Sequence, residues 1–275
     1  MAIINSERWF PPRRGRSEGW RGLIGKGVLA LAGAVVLFVT AQSEGERPKP
    51  PDAAPNPNAK ALEAYIRARA AFRADPAKSE AAWRFGCACF DLADFATNNA
   101  QVEAIATEGI AVCRQLTERE PQLAAGHYYL GMNLGQLARS KTLGALALVR
   151  EMESEFKAAA RADADFDFAG PERNLGLLYQ QAPGWPLSVG DRAKAERYLI
   201  KAADLAPKHP ENGLCLLEAY IQWGDLAKAR HRLGGVAAAM LAGENKSTRD
   251  PALPWLDWEK RWAQIQAKVG ASRAP

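Results

Sequence analysis

Cysteine and histidine are scarce in this 275-residue chain, with four of the first and three of the second. Cys87, Cys89, Cys113 and Cys215 lack the paired spacing of a zinc site. His127, His209 and His231 stand apart, none in a metal-ligand or nucleophile motif. The residue types that carry hydrolytic or metal chemistry are gathered nowhere, so no catalytic residue, metal or cofactor is expected. The chain does not read as an enzyme. Cys87 and Cys89 point in different directions on one helix. Cys89 and Cys113 fall at facing positions of one helical hairpin, either as small buried thiols or, in an oxidising compartment, as a bridge. β-branched residues are also sparse beside alanine and leucine, which favours helix over sheet. Excess charge is missing from most of the chain. The formal net charge is +5, but residues 1–26 hold six basic and two acidic side chains, so four of those five charges sit there. No basic surface for nucleic acid is expected from the remainder.

What the N-terminus does have is an ordered series of segments. After the basic stretch comes GVLALAGAVVLFVTA, residues 27–41, without a charge. Such an arrangement reads as a signal peptide, with Val39 and Ala41 small enough for cleavage after Ala41. The alternative is an uncleaved transmembrane helix over residues 23–41, interrupted only by Lys26. Either way the basic end stays in the cytoplasm and the rest is exported, which places the domain in the periplasm of a bacterial cell envelope. Arg13-Arg14 is followed by GRSEGW, a poor match to a twin-arginine signal, and no lipid-anchor cysteine follows the apolar run. Residues 42–58, QSEGERPKPPDAAPNPN, carry five prolines and no large apolar residue, and read as a disordered linker.

From about residue 59 the hydrophobic 48% of the chain is organised by a repeat. In ERNLGLLY, Leu175-Gly176 is followed by Tyr179, then by Ala195, Leu199, Ala202 and Pro207. A small residue lets two helices approach, a large one fills the gap beside it, and a proline stops the second helix. The unit PENGLCLLEAYIQWGDLAKARHRL repeats the pattern with Tyr220, Gly224, Ala229 and Leu233. Phe85-Gly86 and Leu130-Gly131 mark two earlier units, and ALEAYIRARAAFRADP matches a lone second helix. Gly86, Gly131 and Gly176 are 45 residues apart, and Leu217 takes the equivalent place 41 further on. A tetratricopeptide unit has about 34 residues. The extra length is helix-compatible in the first two units. In the third it lies in the loop YQQAPGWPLSVGD. The expected fold is all-α: a tetratricopeptide-like solenoid of long hairpins over residues 59–240. It is followed by a linker and a C-terminal capping helix in 241–275, where Trp255, Trp258, Trp262 and Ile265 share one stripe.

The first helix of each hairpin lines the concave face of such a solenoid. Counted from each glycine position, Trp83, Phe90, Tyr128, Met132, Arg173, Leu177 and Gln180, with Glu218 and Gln222, would line a mainly apolar groove holding one arginine. Such a groove suits a peptide segment or partner protein, or a small hydrophobic carboxylate as ligand. The aromatics could equally pack against the next hairpin. Trp185, between Pro183 and Pro186, is expected to cover the apolar flank left by the longer preceding hairpin, or else to form a binding lip.

The run from Ala169 to Asp225 carries G-P-x-R-x-L-G-x-x-Y, then A-P-G-W-P, then P-E-N. In these motifs the chain resembles the T component associated with TRAP transporters, a tetratricopeptide-repeat family. The close similarity spans roughly residues 169–233. The resemblance implies an exported scaffold for protein–protein interaction that binds the transporter's solute-binding protein, or a hydrophobic ligand in its groove.

Overall fold

The structure, a computed structural model, describes residues 57–141, 144–242 and 254–271. The signal or anchor segment at 1–41 lies outside them, as does most of the 42–58 linker. Among the described residues there are ten helices and no strand: α1 (Pro57–Ala74), α2 (Ser79–Ala93), α3 (Asn99–Arg119), α4 (Ala124–Ser140), α5 (Ala145–Ala162), α6 (Phe166–Gln181), α7 (Arg192–Leu205), α8 (Pro210–Gln222), α9 (Leu226–Ala242) and α10 (Trp255–Ala271). No described helix is long and apolar enough to cross a membrane.

Helices α2 to α9 form four antiparallel hairpins stacked into a solenoid. Each first helix (α2, α4, α6, α8) packs on the next, and α10 closes the array against α8 and α9. α1 is a lone second helix running parallel to α3. Tyr65 and Arg69 reach Glu108 at 2.7 and 3.1 Å, and Arg119 donates to the Pro76 carbonyl beyond the end of α1 at 3.4 Å.

The glycines predicted to allow close packing do so. A Cβ on Gly131 would stand 2.6 Å from Phe156, and one on Gly176 2.6 Å from Leu199, with the Leu199 backbone nitrogen at 3.0 Å. One on Gly86 would run into the Cys113 sulfur. Cys89 and Cys113 are therefore packing residues: both are free, buried thiols, and burial holds each far above the ordinary thiol pKa. In the fourth hairpin Leu217 is fully buried at the glycine position. The tight spot there is Gly213 against Val236, at 2.5 Å for an added Cβ.

Helix ends follow local chemistry. The Asn98 side chain accepts from the Gln101 backbone N–H, and Asp191 accepts from that of Lys194, both at 3.0 Å. Gly224, at φ 77°, ends α8 in a turn where the Asp225 N–H reaches the Tyr220 carbonyl at 2.8 Å and the Gly224 N–H that of Ile221 at 3.2 Å.

The hairpin geometry divides the solenoid into two edges. Turns between hairpins lie along one edge. Loops inside hairpins, including 182–191, lie along the other, together with the start of α1.

Candidate binding face

At the inter-hairpin edge, three consecutive non-glycine residues, Asp167, Phe168 and Ala169, occupy the left-handed region with φ of 50°, 55° and 61°. Such residues cost about 1–2 kcal/mol each and persist only where the surroundings offset that cost. Here the surroundings are specific. Asp167 accepts from the Tyr128 hydroxyl at 2.5 Å and pairs with Arg173 at 3.2 Å. The Phe168 carbonyl accepts from Asn212 Nδ2 at 2.9 Å and from Arg173 Nη1 at 3.4 Å. Arg173 and Asn212 are themselves joined at 2.7 Å, and Asn174 donates to the Tyr128 hydroxyl at 3.2 Å. A Cβ at Gly170 would meet that hydroxyl at 2.8 Å. Pro171 then starts the regular helix, where its missing N–H costs nothing.

The turn holds the Phe168 ring outward, 51% exposed. The ring stacks on His209 with centroids 4.4 Å apart and planes 4° from parallel. His209 meets Trp258 edge-on at 5.0 Å, and Trp258 meets Trp255 at 4.9 Å. An aromatic row thus runs along one edge from α6 to α10.

Past this row, toward the edge of the intra-hairpin loops, a groove of about 330 Å³ opens between the C-terminal halves of α8 and α10. Ile221 and Ile265 give it apolar walls, and Glu218, Arg261 and Lys268 its charge. Arg261 is buried and held by both oxygens of Glu218, at 2.8 and 2.9 Å. It also lies 3.5 Å from each of Glu211 and Asp257. Three carboxylates face one guanidinium. Burial raises the Asp257 carboxyl above its usual range, Arg261 opposes this, and Glu211 adds to it. A second, mainly apolar cleft of about 130 Å³, between α7, α8 and α9, is lined by His209, Gly213, Leu216 and Arg232 among others. It is smaller than the roughly 300 Å³ at which small-molecule sites begin.

The expected groove residues divide sharply. Phe90, Tyr128, Met132, Arg173 and Leu177 are buried, which corrects their assignment as groove lining. Each next first helix covers the one before it, so these positions become contacts between hairpins. Trp83 is half-buried and stacks on Tyr129 at 5.8 Å. Gln180 is half-buried and donates to Gln222 at 2.9 Å. Of the nine, Glu218 and Gln222 line the larger groove.

Trp185 does not cover a flank: it is 88% exposed. Ala182 and Val189 pack against the core in its place. The loop bonds to itself instead, with the Gly190 N–H on the Pro183 carbonyl at 2.9 Å and the Leu187 N–H on that of Gly184 at 3.1 Å, and the tip is directed into solvent.

Sequence reasoning missed Phe168, His209, Asn212 and Arg261. The Gly170-Pro171 pair was the available signal for the first, because proline at the opening of a helix implies irregular backbone before it. The contacts that join the others to the site, Arg173 to Asn212 and Arg261 to Glu218, span 39 and 43 residues, beyond any local pattern.

Among the described residues no cluster of three or more His, Cys, Asp or Glu is arranged to hold a metal. No family model matches the chain, and no curated protein matches it. Among solved structures it is similar to a thermophilic TPR protein of Thermus thermophilus, at 20% identity and a TM-score of 0.55, over 75% of this chain and 91% of that one. The hairpins, their glycine contacts and this likeness together give the chain the fold of a tetratricopeptide-repeat protein.

Proposed function

We propose that the chain is an exported, membrane-tethered tetratricopeptide scaffold of a bacterial envelope that docks a protein partner on the α6–α8–α10 side. The partner that the motif resemblance favours is the solute-binding protein of a transporter. The observation carrying this reading is Phe168, an aromatic ring held half exposed by a strained turn and a buried polar network. Fixing a ring outward in this way lowers the entropic cost of docking, and such rings anchor interfaces. The groove beyond the row adds apolar walls and charged groups of both signs, Glu218 beside Arg261 and Lys268, which suit a segment carrying apolar and charged side chains.

The test is a pull-down from envelope extracts with wild type and Phe168→Ala. A solute-binding protein recovered in stoichiometric amount by wild type and at least tenfold less by the variant supports the reading. Tenfold corresponds to about 1.4 kcal/mol, while the stacking lost from the free protein is worth about 1 kcal/mol. Equal recovery by both forms, or no stoichiometric protein with either, overturns it.

A further inference from the structure

Resting on the tethered reading above, we infer that the tip Trp185-Pro186-Leu187 is a second membrane contact, set into the bilayer interface on the side from which the tether arrives. Trp185 is 88% exposed and Leu187 58%. They project from a loop whose shape is fixed from within. The Gly190 N–H bonds the Pro183 carbonyl, the Asp191 N–H bonds the Tyr179 carbonyl at 2.9 Å, and both the Leu187 and Ser188 N–H groups bond the Gly184 carbonyl. A Cβ on Gly190 would run into the Ala182 carbonyl, so the closure requires glycine. Burial of the ring is thus not what shapes the loop.

Residues 182–190 carry no ionisable side chain. The first charged residues beyond them are Asp191, Arg192, Lys194, Glu196 and Arg197, three cations to two carboxylates. Asp191 caps α7 and lies 3.8 Å from Lys194, Arg192 pairs with Asp225 and Glu196 with Lys228, and the Lys194 and Arg192 side chains remain half exposed. An aromatic and an aliphatic residue at the tip with cations behind them is the chemistry of the lipid interface, where tryptophan rings settle and basic residues meet anionic headgroups.

Topology supplies the second observation. Because α1 runs parallel to α3, the chain enters the described domain at Pro57 on the edge of the intra-hairpin loops, the same edge as the tip. Only 15 residues, 42–56, separate Pro57 from the apolar run, and 15 residues span at most about 50 Å. Two apolar side chains alone bind a bilayer weakly. Tethering turns that weak contact into an intramolecular one and raises its occupancy without further affinity. The aromatic row lies on the opposite edge, where docking leaves it open to the aqueous phase.

The experiment uses the full chain reconstituted in vesicles of phosphatidylcholine and phosphatidylglycerol, with nitroxide labels at Leu187→Cys or Leu205→Cys in a Cys87→Ser background. The remaining cysteines are buried, and Leu205, 40% exposed at the end of α7, lies on the opposite edge. The expected result is a ratio of oxygen to nickel-chelate accessibility at 187 several times that at 205. Equal ratios overturn the inference. A label at 187 shielded from both reagents, and only once envelope proteins are added, also overturns it, in favour of a protein pocket. Alkaline carbonate washing separates the two levels. Chain stripped from the vesicles defeats the tethered reading itself, whereas retained chain with equal ratios defeats the tip contact alone.

Discussion

Trp185 and Trp258 sit on opposite edges of one solenoid in opposite circumstances. Trp258 is wholly buried, its indole N–H 3.4 Å from Glu211 and its faces among His209 and Trp255. Trp185 is almost wholly exposed. The difference follows from what each segment needs. The last hairpin has an apolar side that only a further helix can cover, so the aromatics of α10 are drawn into the core. The third hairpin is already covered on both sides, and its long loop satisfies its own backbone. Its tryptophan is surplus to folding. In a repeat array the position of an aromatic residue relative to the ends matters more than its hydrophobicity.

The largest test of this contrast is Trp258→Ala. Truncating a fully buried tryptophan costs roughly 3–5 kcal/mol, and denaturant unfolding should show it directly. Near-native stability would mean that α10 is not part of the cooperative core. Gly176→Leu strikes the frame from which both edges hang. With Leu199 side chain and backbone within 3.0 Å of the missing Cβ, overpacking should cost roughly 1–3 kcal/mol. A variant melting like wild type would place the α6–α7 contact elsewhere.

A pH series should affect one edge and spare the other. His127, at the start of α4, bonds Glu155 at 2.6 Å and the Pro121 carbonyl at 3.0 Å. The Glu155 hydrogen bond raises its pKa, partial burial opposes this, and the carbonyl contact assists. A raised folded pKa contributes stability that is complete below the unfolded value of about 6.5 and is lost as pH climbs through the folded one. For this partly exposed pair the contribution is about 1 kcal/mol at most. The gap in unfolding midpoint between wild type and His127→Gln should therefore be widest below pH 6.5 and close at higher pH. A gap independent of pH would show that the pair acts only by packing. The smallest effect belongs to Trp185→Ala, within about 0.5 kcal/mol of wild type in the isolated domain, as for other exposed substitutions. A loss of several kcal/mol would restore the covering role that the structure denies it.

Much of the fold was legible in the sequence because the repeat rests on sterics that recur. A glycine every 45 residues marks the same helix crossing each time, and Cys113, Phe156 and Leu199 occupy the space opposite. The binding face was not legible for the same reason. Tyr128, Met132 and Arg173 have the periodicity of an inward-facing stripe, which a groove and a hairpin contact share. Only the spacing between successive first helices distinguishes the two, and that spacing depends on all the side chains between them. Phe168 was hidden differently: its exposure depends on Asn212 and Arg173 gripping its carbonyl, a tertiary event without a local pattern.

In the fourth hairpin Leu217 stands where the earlier ones have glycine, and a glycine, Gly213, appears four residues before it. Its closest approach falls at Gly213 and Val236 instead of at the position of Leu217. Four residues along a helix are about 6 Å, so this pair of helices pivots one turn nearer the inter-hairpin edge than its predecessors do. A superhelix whose units pivot at unequal heights has no constant pitch. A partner with regularly spaced anchors cannot follow it from end to end, and the C-terminal third presents a register of its own.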